Sequence, residues 1–141
     1  MVSSYRNPET IQQILKNTQT IAVVGLSSNP SKAGYYVPAY LQREGYRIIP
    51  VNPHLDQVLG EQAYAELTDV PHDVDLVLVF RRSEAVPPFA RQAVEIGAGA
   101  IWLQLGIFNQ QAAEIAEKGG LRVVMDACMM VEHRRFKTRL D

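Results

Sequence analysis

The chain has a single cysteine, Cys128, so it holds no internal disulfide and no CxxC metal or redox pair. Its three histidines, His54, His72 and His133, lie far apart, and none has a Cys or His neighbour at metal-ligand spacing. The expected metal content is none. No apolar run approaches the roughly 20 residues of a membrane span. The start, "MVSSYRNPET", lacks the basic and apolar regions of a signal peptide, so a soluble cytoplasmic chain is expected. Lys and Arg number 14 against 15 Asp and Glu, a formal net charge of -1, which argues against a protein built to coat nucleic acid. GxSxG and a Ser-His-Asp order are also absent, which removes the common hydrolase signatures.

What is there reads as one domain spanning residues 1–141. Hydrophobic residues are 47% and charged residues 21%, ordinary for a globular core of this length. Strand-like and helix-like segments alternate. "RNPETIQQILKN" predicts a helix over about 8–17, with Asn7 as cap, Pro8 in the first position, and Ile11, Ile14 and Leu15 on one face. Apolar runs predict strands at 20–25, 46–51, 75–80, 100–105 and 121–125. Helices are predicted at about 34–44, through "EQAYAEL", after Ser83 and after Asn109, and "ACMMVEHRRF" reads as a terminal helix or extension. Residues from about 132 to 141 form a basic stretch that reads as a solvated C-terminal extension. The fold class is therefore α/β: a single doubly wound, Rossmann-like domain with a five-stranded parallel sheet flanked by helices. The simplest strand order is 3-2-1-4-5, with ligands beyond the carboxyl ends of the strands.

The loops at those ends carry the chemistry. "GLSSNPSKA" resembles the spacing of a Walker loop, but Ser31 replaces the glycine before Lys32, and Ala33 replaces the hydroxyl after it. A dinucleotide GxGxxG is not met either, since only Gly25 is kept. "PVNPHLD" offers no carboxylate for a ribose before Asp56, which disfavours conventional NAD binding. Gly25 as a turn, Ser27 and Ser28 as donors, and Lys32 as a charge suit a pyrophosphate held without metal. The same residues also suit a capped strand-to-helix turn with a solvated lysine. Asn52 and Pro53 form either a turn or a rigid wall for a base. Arg81 and Arg82 leave the third strand beside Phe80, and arginine suits forked phosphate contacts. Gln104 and Gly106 meet the same crevice, and Trp102 belongs in the core.

Together, "TIAVVGLSSNPSKAGYYVPAYLQREGYRIIPVNP", "VDLVLVFRRSE", "IWLQLGI" and "VVMDACMMVEH" resemble the stand-alone CoA-binding domain proteins of bacteria. These are similar in fold to the N-terminal domain of the succinyl-CoA synthetase α subunit. The resemblance covers nearly the whole chain after residue 18. It implies a CoA or acyl-CoA ligand lying across the crevice. Gly25, Leu26, Ser27, Ser28 and Lys32 would cradle phosphates, with Asn52 and Pro53 flanking the nucleotide. Phe80 and Arg81 would line the pocket beside it. Gln104, Gly106 and Ile107 would border the pantetheine, whose thiol would run toward Cys128. The domain bearing the synthetase's phosphorylated histidine is not matched, and that role does not pass to His133.

The expected function is CoA binding without catalysis of its own, and no catalytic residue is assigned. Two alternatives stand beside it. One is a small Rossmann oxidoreductase or a CoA-dependent transferase using Cys128, which lacks an evident general base. The other is a protein or RNA interaction module centred on the basic tail. The expected partner is the small-molecule CoA ligand, with no membrane, no nucleic acid and no named protein partner.

Overall fold

A computed structural model describes residues 5–140. Five parallel strands form one sheet: β1 (Thr20–Val24), β2 (Arg47–Val51), β5 (Leu76–Val79), β6 (Ala100–Leu103) and β7 (Arg122–Val124). β3 (Gln57–Val58) and β4 (Glu61–Gln62) form a separate two-stranded hairpin. The helices are α1 (Pro8–Asn17), α2 (Ala33–Arg43), α3 (Pro87–Glu95), α4 (Gln110–Lys118) and α5 (Met129–Phe136).

The strand order is β2-β1-β5-β6-β7, not the order with the second strand between the first and third. β1 therefore pairs with both β2 and β5: Val23 stands opposite Pro50 on one side and Leu78 on the other. The chain leaves β1 in one direction to form β2 and returns past it to form β5. The reversal, and with it the crevice expected of such sheets, falls between β1 and β5.

Strand side chains alternate between the two faces, as the pleat requires. Ile21, Val23, Ile48, Leu76, Leu78 and Trp102 pack against α1, α2 and α5. Ala22, Val24, Val77, Val79, Ile101 and Leu103 pack against α3 and α4. Both faces are covered, which explains why the strands read as unbroken apolar runs rather than alternating ones. Each fully buried aliphatic side chain contributes about 1.5–3 kcal/mol relative to exposure. On the second face the helices offer Ala90, Ala93, Ala112, Ala113 and Ala116, small side chains that let backbones approach closely.

Local signals account for most element ends. The Asn7 side chain accepts from the Glu9 and Thr10 amides, and Asn109 does the same for Ala112. Pro87 and Pro88 open α3, where missing amide donors cost least. The helix expected over "EQAYAEL" is absent. Glu61 and Gln62 pair with β3, and Tyr64 bridges to Val51. Leu59 and Gly60 both adopt positive φ, the geometry of a two-residue hairpin turn, and Gln42 Nε2 holds the Leu59 carbonyl at 3.0 Å.

Of the segment expected as a solvated extension, residues 132–136 are instead the second half of α5, while Lys137–Arg139 form an exposed turn after it. Glu132, His133 and Phe136 are buried, and His133 Nδ1 lies 2.8 Å from the Tyr40 hydroxyl. Tyr40 and Tyr46 each meet the imidazole edge-on. Tyr46 donates to the Leu15 carbonyl at 2.7 Å, and burial pushes its phenol up to about 12. Lys137 clamps Glu44 at 3.0 Å; that hydrogen bond lowers the Glu44 carboxyl and raises the Lys137 ammonium. The basic spacing hid an apolar stripe, because Met129, His133 and Phe136 recur at helical intervals.

Candidate functional site

Three strand ends converge on Gly25. It adopts φ +84°, a left-handed conformation that favours glycine, and its amide donates to the Val51 carbonyl at 2.9 Å. A Cβ there would lie 2.9 Å from the Phe80 carbonyl oxygen and 3.1 Å from Arg81 Cδ. Only glycine lets the β1, β2 and β5 loops close this tightly. Asn52 completes the junction: its Nδ2 donates to the Leu26 carbonyl at 2.9 Å, and its Oδ1 accepts from the His54 amide at 2.9 Å. Asn52 is thus a brace between loops, and its polar ends are already engaged.

The start of α2 packs directly on this junction. The Ser27 amide donates to the Gly34 carbonyl at 3.0 Å, and a Cβ on Gly34 would stand 3.3 Å from the Gly25 carbonyl oxygen. Ser27 Oγ accepts from the Asn29 amide, and Asn29 Oδ1 accepts from both Ser31 groups, so the loop is ordered by its own side chains. Lys32 occupies the N-cap position, is exposed, and makes no ion pair among the described residues. The positive end of the α2 dipole and the lysine charge therefore act on the same space.

Two pockets adjoin across Gly25 and Asn52. One, of about 390 Å³, is lined by Ser27, Ser28, Lys32, Gly34, Leu55 and Phe80 besides those two. The other, of about 430 Å³, lies on the α3 side of the junction. Val24, Val51, Pro53, Pro88 and Phe89 give it apolar, partly flat walls, and Arg81 supplies the cation. The Arg81 guanidinium lies 5.5 Å from the centre of the Phe89 ring. Glu66 and Gln92 close the far side, where Gln92 Nε2 donates to Glu66 Oε1 at 3.3 Å.

Of the residues expected to form the site, Gly25, Ser27, Ser28, Lys32, Asn52, Pro53, Phe80 and Arg81 meet at these pockets. Leu26 contributes only its backbone, since its side chain is fully buried in the core. Gln104, Gly106, Ile107 and Cys128 line neither pocket. Gln104 is buried, and its Oε1 accepts from the Met129 amide at the start of α5, 3.2 Å away. The Gly106 amide donates to Asp126 Oδ1 at 2.7 Å, and the Asp126 amide donates to the Ile107 carbonyl. Asp126 itself adopts φ +59°, so these bonds fasten the β6 and β7 loops to each other. Cys128 caps α5, half-buried against the core.

Sequence reasoning missed His54, Glu66, Pro88, Phe89 and Gln92. Phe89 and Gln92 sit on a helix whose apolar pattern points to the core, and nothing in the local pattern of Ala65 and Glu66 marks them as pocket walls. Among the described residues no group of three or more His, Cys, Asp or Glu is placed to hold a metal ion. No helix among them is long and apolar enough to cross a membrane.

A parallel sheet with helices on both faces and paired pockets at its switch point defines the Rossmann-like class. Residues 19–134 match the CoA binding domain model, and the chain belongs to that family. It is 41% identical over 123 residues to the uncharacterized protein YneT of Bacillus subtilis (strain 168), covering 87% of this chain and 91% of that one. A solved structure of a hypothetical protein from Pyrococcus horikoshii OT3 superposes with a TM-score of 0.88 at 35% identity, covering 92% of this chain and 91% of that one. The chain is also 27% identical over 117 residues to acetate–CoA ligase (ADP-forming) II of Archaeoglobus fulgidus. That match covers 74% of this chain and only 17% of the ligase.

Proposed function

We propose that the chain binds coenzyme A or an acyl-CoA across the Gly25 junction, as a stand-alone binding module without catalysis of its own. The observation that carries the reading is the pair of adjoining pockets, each with an unpaired cation among the described residues, in a chain of the CoA binding domain family. The α2 side suits a diphosphate, with Lys32 and the helix start as its electrostatic partners. The α3 side suits a nucleoside, with Pro53, Pro88 and Phe89 as apolar walls. The acetate–CoA ligase of Archaeoglobus fulgidus is matched over only 17% of its length, so its named activity is not carried to this chain. Catalysis through Cys128 finds no support, since the thiol lines neither pocket.

Thermal denaturation with CoA and NAD in parallel tests the reading. Ligand at 100 times its dissociation constant stabilises the folded state by about 2.7 kcal/mol. CoA is expected to raise Tm clearly above NAD at equal concentration. Equal or greater stabilisation by NAD would overturn the assignment.

A further inference from the structure

Resting on the proposed CoA site, we infer that the two cations divide the ligand's phosphates: Arg81 holds the 3′-phosphate of the adenosine, and Lys32 serves the 5′-diphosphate. Arg81 is thereby the residue that distinguishes CoA from nucleotides without a 3′-phosphate.

The division follows from the donors on each side of Gly25. On the Lys32 side, an anion meets the first turn of α2 as well as the ammonium, a setting suited to a diphosphate with many oxygens. On the Arg81 side the nearest helix start offers far less. The first two residues of α3 are Pro87 and Pro88, which have no N–H, and the Phe89 and Ala90 amides both donate to the Val86 carbonyl. Asn52 Nδ2 is held by the Leu26 carbonyl. Glu66 brings negative charge to the same pocket, yet its Oε1 is engaged by Gln92 at the far wall. Anion recognition there falls to a side-chain cation, and Arg81 is one with no carboxylate partner among the described residues.

Arg81 is also oriented. Its guanidinium lies over Phe89, and its Cδ sits 3.1 Å from where a Gly25 Cβ would be. Stacking leaves the edge of the planar group available for two parallel N–H···O bonds to a terminal phosphate. Because the pockets share Gly25 and Asn52, one ligand spans both by bending over the glycine, with its ribose at the bend. A ribose at that position sends its 5′ and 3′ substituents to opposite sides.

The test measures dissociation constants for CoA and 3′-dephospho-CoA by titration calorimetry on wild type, Arg81→Met and Lys32→Ala. Wild type is expected to prefer CoA by about tenfold or more, the scale of a charge-assisted contact. Arg81→Met should shrink that preference to within about twofold, the loss falling mainly on CoA. Lys32→Ala should weaken both ligands by a similar factor and keep the preference. Unchanged Tm values without ligand verify that each variant folds. Equal wild-type affinity for the two ligands overturns the inference while leaving CoA binding intact. Loss of the preference in Lys32→Ala, with its retention in Arg81→Met, overturns it by exchanging the roles. Binding of neither ligand to wild type overturns the proposed function itself.

Discussion

Replacing Gly25 with alanine tests the tight convergence of strands directly, provided a second glycine isolates the steric part. Gly25 and Gly97 adopt similar φ, +84° and +76°, so alanine meets comparable left-handed strain at both, about 1–2 kcal/mol. At Gly97 a new Cβ finds nothing within 4 Å, whereas at Gly25 it lies 2.9 Å from the Phe80 carbonyl oxygen. Phe80 is anchored beside β1 through its amide, which donates to the Val24 carbonyl at 2.8 Å. Overpacking of this kind adds about 1–3 kcal/mol. Gly97→Ala is thus expected to cost about 1–2 kcal/mol and Gly25→Ala about 2–5 kcal/mol. Urea denaturation measures both, with unchanged m-values showing that the denatured states are comparable. Equal losses at the two positions would refute the reasoning, since they would mean that the β5 loop yields to the methyl group without cost.

Two further outcomes follow from the packing of α5. Burial holds the His133 imidazole below its usual 6.5, so the native state resists a proton that the unfolded chain accepts. Stability from this group is complete above about pH 6.5 and falls as pH drops toward the native value, with a slope of at most about 1.4 kcal/mol per pH unit. His133→Gln should flatten that part of a pH–stability curve, and an unchanged slope would remove His133 as its source. Gln104→Leu should cost about 1–3 kcal/mol by orphaning the buried Met129 amide, with CoA affinity retained. Lost affinity at unchanged stability would make Gln104 a ligand contact instead.

The strands were legible because burial on both faces removes polar positions, leaving runs such as Ile21–Val24 and Leu76–Val79 with no competing reading. Asn7, Pro8 and Asn109 announced helix starts through chemistry local to a few residues. Strand order was not legible. Whether β5 lies beside β1 or β2 lies between them depends on contacts some fifty residues apart, and apolar runs pair with either neighbour. The β3–β4 hairpin was misread because Glu, Gln and Ala favour helix, while the Tyr64 bridge to Val51 decided the outcome. For the pockets, the loops after β1, β2 and β5 were anticipated apart from His54, and wall residues from α3 and the Ala65–Glu66 turn were not. Phe89 and Gln92 reach the pocket from a helix whose pattern is dominated by its buried alanines.

Trp102 is the one tryptophan in the chain, fully buried in β6, with its indole N–H donating to the Ala127 carbonyl at 2.8 Å. Optically, the protein carries a single indole emitter sealed inside its core and tied to the segment that begins α5. Its fluorescence is a gauge of whether that helix stays seated, and it is shielded from quenchers that cannot enter the packed interior. The pockets at Gly25 hold no such emitter. Unfolding can be followed by light, while occupancy of the crevice has to be read by heat.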